Sequence, residues 1–131
     1  MSIAADCRYA KSHEWAKPEG NLFVIGVSDF AQHELGDVVF VELPPTGSKF
    51  KAEETFGVIE SVKAASDLYL PIGGEIVATN DALMSDPALV NKDPHGAAWL
   101  VKVKPSNPAD FQAMMDAKAY GEFTASEAAK H

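Results

Sequence analysis

The stretch Leu22-Phe23-Val24-Ile25-Gly26-Val27 is rich in β-branched and aromatic residues and predicts a strand. Pro18-Glu19-Gly20-Asn21 before it carries turn chemistry, because proline presets φ and glycine permits a positive one. Residues 9–15 and 22–27 therefore predict a first hairpin. Ser28 can cap a short helix over 29–34 by accepting from an otherwise orphan amide, with Phe30, Ala31 and Leu35 facing inward and Gly36 ending it. Residues 37–43 return to strand, and Pro44-Pro45-Thr46-Gly47 stops it. Residues 50–53 form a short connection with some strand character. Residues 55–62 and 68–70 predict a strand and its return, with Lys63 at the tip. Pro71 cannot donate to a ladder and marks a strand end or edge, Gly73-Gly74 a turn, and 75–79 a further strand.

The last third changes period. Residues 81–84 and 87–90 predict short helical turns, and 98–103 a strand. Asn107 caps a helix with Pro108 at its first position; Phe111, Met114 and Met115 follow at i, i+3, i+4 spacing, which suits one core-facing stripe. The small, polar stretch after Phe123 is expected to fray. Gly36-Asp37-Val38-Val39-Phe40-Val41 is echoed by Gly74-Glu75-Ile76-Val77-Ala78-Thr79: glycine, acid, then a β run. Two related half-sheets of this kind predict a mainly β, α+β fold, a barrelled β-sandwich with a C-terminal helix. At 131 residues the expectation is a single domain over 1–131, with a core about 8–123 and a frayed tail over 124–131.

Charge narrows the partners. Asp and Glu outnumber Lys and Arg by 19 to 11, giving a net charge of -8. That balance disfavours nucleic acid and anionic membrane and suits docking onto basic patches of other proteins. No self-complementary patch is evident, so a monomer is expected. The opening Met-Ser-Ile-Ala-Ala-Asp-Cys-Arg lacks the apolar core of a signal peptide and the repeated arginines of a transit peptide. The expected location is cytoplasmic, or the mitochondrial matrix only if a transit segment has been removed. The lone Cys7 excludes an internal disulfide framework, and His13, His33, His95 and His131 lack metal-ligand spacing. No nucleophile elbow, P-loop or dinucleotide fingerprint is present. The adjacent pairs His13-Glu14 and His33-Glu34 make no acid–base dyad, because neighbouring residues do not face each other on a helix and point to opposite faces on a strand. A carrier or binding module fits this pattern better than an enzyme.

Lys63 is the residue with chemistry to explain. It sits between two β-type runs and is followed only by small residues, Ala64, Ala65 and Ser66. The ordinary reading is a solvated lysine paired with Glu60 or Asp67. The alternative is an amine held out as the handle for a covalently attached carrier group.

The blocks around it bear on that choice. Gly57-Val58-Ile59-Glu60-Ser61-Val62-Lys63-Ala64-Ala65-Ser66-Asp67-Leu68-Tyr69 closely resembles the lipoylation segment of the glycine cleavage system H protein family. Ser12-His13-Glu14-Trp15 resembles that family's opening motif. Gly36-Asp37-Val38-Val39-Phe40-Val41-Glu42-Leu43-Pro44 resembles its strand-to-turn signature. Leu89-Val90-Asn91-Lys92-Asp93-Pro94 with Gly96 and Trp99-Leu100 resembles its C-terminal signature. The resemblance spans about residues 8–123. It implies a lipoyl/biotinyl-carrier-like sandwich with lipoic acid in amide linkage on Lys63. It further implies a non-catalytic carrier. The arm takes an aminomethyl group from glycine at the decarboxylase (P protein) and delivers it to the aminomethyltransferase (T protein). Dihydrolipoamide dehydrogenase (L protein) then reoxidises it, and lipoylating enzymes install it.

The resemblance also implies a cleft that shields the loaded arm, lined by Ser12, Glu14 and Asp67 and a polar residue from the helix near His33-Glu34. In it Glu14 and Asp67 would stabilise the aminomethyl cation. Some relatives place a histidine where this chain has Glu34; here His33 comes one residue earlier, a rotation of about 100° on a helix. A biotin carrier resembles this arrangement but sets its lysine between methionines, whereas Val62 and Ala64 flank Lys63. Lipoyl domains of 2-oxoacid dehydrogenases place an acid directly before the lysine, where Val62 stands. A lipoyl relay or regulator outside glycine cleavage is the remaining alternative, discriminated by reconstitution with P and T proteins.

Overall fold

Two antiparallel sheets share one hydrophobic core in the computed structural model, which describes residues 3–129. The strands are β1 (Arg8–Tyr9), β2 (Glu14–Glu19), β3 (Leu22–Val27), β4 (Val38–Glu42), β5 (Lys49–Phe50), β6 (Thr55–Ser61), β7 (Ala65–Tyr69), β8 (Gly74–Thr79) and β9 (Val101–Pro105). The six-stranded sheet runs β1-β2-β3-β9-β8-β5 and the three-stranded sheet β4-β6-β7. Ile25, Val27, Ile76 and Val103 from the first meet Val41, Phe56, Ile59 and Leu68 from the second. This is the expected mainly β sandwich with a C-terminal helix. The echoed segments after Gly36 and Gly74 enter different sheets, as β4 and β8.

Strand β3 is apolar on both faces because both are covered. Phe23, Ile25 and Val27 point into the sandwich, while Val24 joins Tyr9, Trp15 and Tyr120 in a second cluster on the other side. Trp15 lies opposite Gly26 in the β2–β3 ladder, and its indole N–H donates to the Pro94 carbonyl at 3.1 Å. A Cβ at position 26 would collide with the Trp15 ring, so the glycine is dictated by close approach. Gly26→Ala is expected to destabilise by about 1–3 kcal/mol through overpacking, read as a lowered urea midpoint with unchanged slope.

Helix α1 (Asp29–Leu35) begins at Ser28, whose hydroxyl accepts from the Ala31 N–H at 3.1 Å, as the capping argument requires. Helices α2 (Ala82–Ser85) and α3 (Leu89–Lys92) occupy the two predicted helical turns.

The return strand and the helix after Asn107 depart from expectation. The return strand starts at Ala65 rather than 68, because Glu60 pairs with Ala65 and leaves a shorter tip. The helix expected after Asn107 splits into α4 (Ala109–Gln112) and α5 (Ala117–Ala129). Between them Met115 exchanges two backbone hydrogen bonds with Tyr9, at 2.8 and 2.9 Å, which draws the chain out of helix. Phe111 and Met114 consequently pack in the sandwich core and Met115 in the second cluster, not on one stripe.

Within the stretch expected to fray, α5 runs on to Ala129 and Thr124 is buried. Short helices are marginal alone and persist through tertiary packing. Here Tyr120 stacks on Tyr9 at 4.1 Å, and its hydroxyl bonds Ser28 at 2.6 Å and His13 at 2.8 Å. Residues 130–131 lie outside the described residues.

Candidate functional site: the Lys63 tip and its acidic cleft

One serine shapes the tip. The Ser61 N–H donates to the Ala64 carbonyl at 2.8 Å. Its nearly buried hydroxyl accepts from the Lys63 and Ala64 amides at 3.4 and 3.2 Å and faces the Ala64 carbonyl at 3.2 Å. Local side-chain bonding of this kind fixes a turn without large side chains. The Val62 N–H then donates to the Asp37 carbonyl at 3.0 Å, tying the tip to the α1–β4 corner. Val62 is 71% exposed, and Lys63, Ala64 and Ala65 are exposed beside it.

The Lys63 stem passes over Gly36, where a Cβ would stand 3.5 Å from Lys63 Cε. Gly36 also holds φ at 78°, which favours glycine. Among the described residues no ion pair involves Lys63, so the ordinary pairing with Glu60 or Asp67 is not formed.

Lys63 opens onto a cleft of about 320 Å³. Val27, Ile59 and Leu68 form apolar walls, and Ala31 and Leu35 extend them from α1. Ser12, Glu14 and Asp67 line this same cleft, so the structure brings together with Lys63 all three of the expected cleft residues. The charged α1 residue in the lining is Glu34, while His33 is exposed and outside it, as the one-residue rotation requires. A larger groove of about 560 Å³ near Met114 shares only Ser12 with the cleft and does not include Lys63.

Glu14 is the unusual group, only 2% exposed. Ser12 Oγ donates to its Oε1, and the Tyr69 N–H donates to its Oε2 at 3.0 Å. The second bond joins the two sheets and occupies an amide of the edge strand β7. Burial pushes the Glu14 carboxyl up to about 7, with the two donors partly opposing that rise.

His13 and Glu127 also line the cleft, and sequence reasoning missed both. His13 has φ 77°, stacks on Phe30 at 4.8 Å and lies 3.8 Å from Glu127; burial holds its imidazole below the usual range. The available signal for Glu127 was its spacing from Tyr120 and Phe123, which puts all three on one helical face. Carboxylates at 14, 34, 67 and 127 make the cleft suited to a cation, with no neighbouring cation but Lys63 in its lining. Cys7 packs in the second cluster instead, its thiol pushed up to about 12 by burial and kept unreactive.

A family model described as Glycine cleavage H-protein matches residues 7–127. The chain belongs to the glycine cleavage H-protein family. Glycine cleavage system H proteins from Symbiobacterium thermophilum and Bacillus cereus are 50% and 49% identical to it. Those matches cover 94% and 95% of this chain and 96% and 98% of theirs. The crystal structure of a glycine cleavage system H protein from Mycobacterium marinum superposes with a TM-score of 0.87 at 36% identity, covering 94% of this chain and 99% of that one. An H protein is a lipoyl carrier with no catalytic activity of its own, so its site holds and releases a group rather than transforming one. Among the described residues no helix is long and apolar enough to cross a membrane, and no group of His, Cys, Asp or Glu could hold a metal ion.

Proposed function

We propose that Lys63 is the lipoyl attachment point of this H protein and that the acidic cleft beside it shelters the loaded arm. As an H protein the chain serves the glycine cleavage system by moving the aminomethyl group of glycine between enzymes. The finer reading has four kinds of partner: the P protein as donor, the T protein as acceptor, the L protein for reoxidation, and lipoylating enzymes. It also makes the chain a cytoplasmic monomer, bound to neither nucleic acid nor membrane.

The observation that carries the attachment site is a solvent-facing Lys63, with no ion pair among the described residues, on a tip fixed by Ser61 and Asp37, at the mouth of a cleft lined by Glu14 and Asp67. The Lys63 amine is acylated once an enzyme has removed a proton from it. Acylation of Nζ removes one positive charge, taking the formal net charge from -8 to -9. Once bound, lipoate would supply a disulfide that is reduced on taking up the aminomethyl group and must be reoxidised after giving it up. The tied tip keeps the attachment point still, which raises the arm's effective concentration at each docked enzyme. Apolar Ile59 and Leu68 suit a hydrocarbon arm, and the Glu14 and Asp67 carboxylates suit an amine at its end.

Peptide mass mapping after treatment with a lipoate–protein ligase, lipoate and ATP tests this. The expected lipoyl increment is confined to the peptide containing Lys63; an increment on another lysine would overturn the assignment.

A further inference from the structure

A lipoylating enzyme must choose one lysine among the ten in this chain. Neither Val62 nor Ala64 carries a charge that would mark that lysine, so its position on the tip is left to contribute to the choice. The position of the tip depends on the α1–β4 corner. Val38 and Ser61 are the last ladder partners, and beyond them the Val62 N–H reaches the Asp37 carbonyl at 3.0 Å. The orientation of that carbonyl is set by the residues on either side of it.

Both are held by one side chain. Asn91, on α3, accepts the Val38 N–H through Oδ1 at 2.9 Å. Its Nδ2 donates to the Gly36 carbonyl at 2.8 Å and to Gln32 Oε1 at 3.0 Å. Asn91 therefore brackets Asp37 from 36 and 38 and anchors the end of α1 to the start of β4. An amide side chain has two donors and a two-lone-pair acceptor, and three of those four valences are used here in three directions. Neither an apolar residue nor a carboxylate can reproduce that set.

We propose that Asn91 is a positioning residue for the modification of Lys63, acting through the Gly36–Val38 corner on the tip. The inference rests on Lys63 being the lipoylated residue. Misplacement of a reacting group by about 1 Å costs on the order of a hundredfold in rate, so a partial loosening of the tip is expected to cost about tenfold.

The test compares wild type, Asn91→Ala, Asn91→Asp and a control, Val103→Ala, which opens space in the core on the other sheet. Initial rates of lipoyl transfer to Lys63 by a lipoate–protein ligase are measured against carrier concentration, at a temperature where every variant is folded. Asn91→Ala is expected to lower kcat/KM about tenfold, mainly through KM, and to speed amide exchange at Val62. Asn91→Asp keeps the acceptor for Val38 but loses the donor to Gly36, and is expected to lie between; it serves alone if the alanine variant does not fold. Val103→Ala is expected to transfer at the wild-type rate, and a small amine-acylating reagent to modify Lys63 equally in all variants. Asn91 variants that match wild type, or slow only as much as Val103→Ala, overturn the inference. Wild type modified on a different lysine overturns the Lys63 reading itself, a result separable from the first because it shows in the peptide map before any variant is compared.

Discussion

Lys63→Arg is expected to leave the fold intact and to abolish the carrier function. Arginine keeps the positive charge, so the net charge of -8 and any long-range attraction to a partner are unchanged. Its guanidinium stays protonated at any pH the protein tolerates and offers no amine to acylate. Lys63 is exposed and makes no ion pair among the described residues, so the stability change should stay within about 0.5 kcal/mol. Intact mass should then show no lipoyl increment. Glycine decarboxylation reconstituted with P, T and L proteins should fall to the carrier-free background, at an unchanged melting temperature. A melting temperature that collapses would instead make Lys63 a structural residue; retained activity would place the arm elsewhere.

Glu14→Gln should stabilise the arm-free protein above neutral pH while weakening the cleft. The unfolded carboxyl titrates near its ordinary 4.5, whereas the folded one is pushed up to about 7 by burial. Between those values the folded state binds more protons than the unfolded state. Stability therefore falls as pH rises from about 4.5 to about 7 and is flat beyond. Glutamine removes that slope. It can still accept the Tyr69 N–H and donate to Ser12, so the tie between sheets survives. Urea unfolding at pH 8 should show a gain of about 1–3 kcal/mol, shrinking towards zero near pH 5.

The same substitution removes a charge that favours a cation in the cleft. A lifetime of the aminomethyl-loaded arm shortened several-fold at pH 8 is the expected functional cost. Wild type and Glu14→Gln with the same pH slope of stability would refute the burial argument. An unchanged lifetime would refute the role of Glu14 towards the arm.

The two effects have opposite signs, as expected of a group kept for binding at a cost to the fold. Ser28 shows the contrasting case of a residue whose local role is fully stabilising: it caps α1 and meets the Tyr120 hydroxyl with no polar atom left over.

How much of this was legible in the chain follows from how far each interaction reaches. The strand at Leu22–Val27, the Ser28 cap, the Gly36 terminus and the Lys63 hairpin are set by neighbouring residues, through side-chain alternation, capping and turn chemistry. Those were readable in order along the sequence, and the family blocks added Ser12, Glu14 and Asp67 to the cleft. Met115 could not be read as the end of a helix, because its competing partner is Tyr9, more than a hundred residues away. Residues 124–129 could not be read as helix on composition alone, since Tyr120 anchors α5 on Ser28 and His13 from the other end of the chain. Glu127 reaches the cleft only because of that anchor.

Local chemistry thus determined which residue presents an amine and which strands hold it. The packing of α5 and the long-range bonds of Glu14 and Asn91 decided what surrounds that amine. Buried hydrogen bonds of that reach form only after both sheets have come together, so no local pattern encodes them.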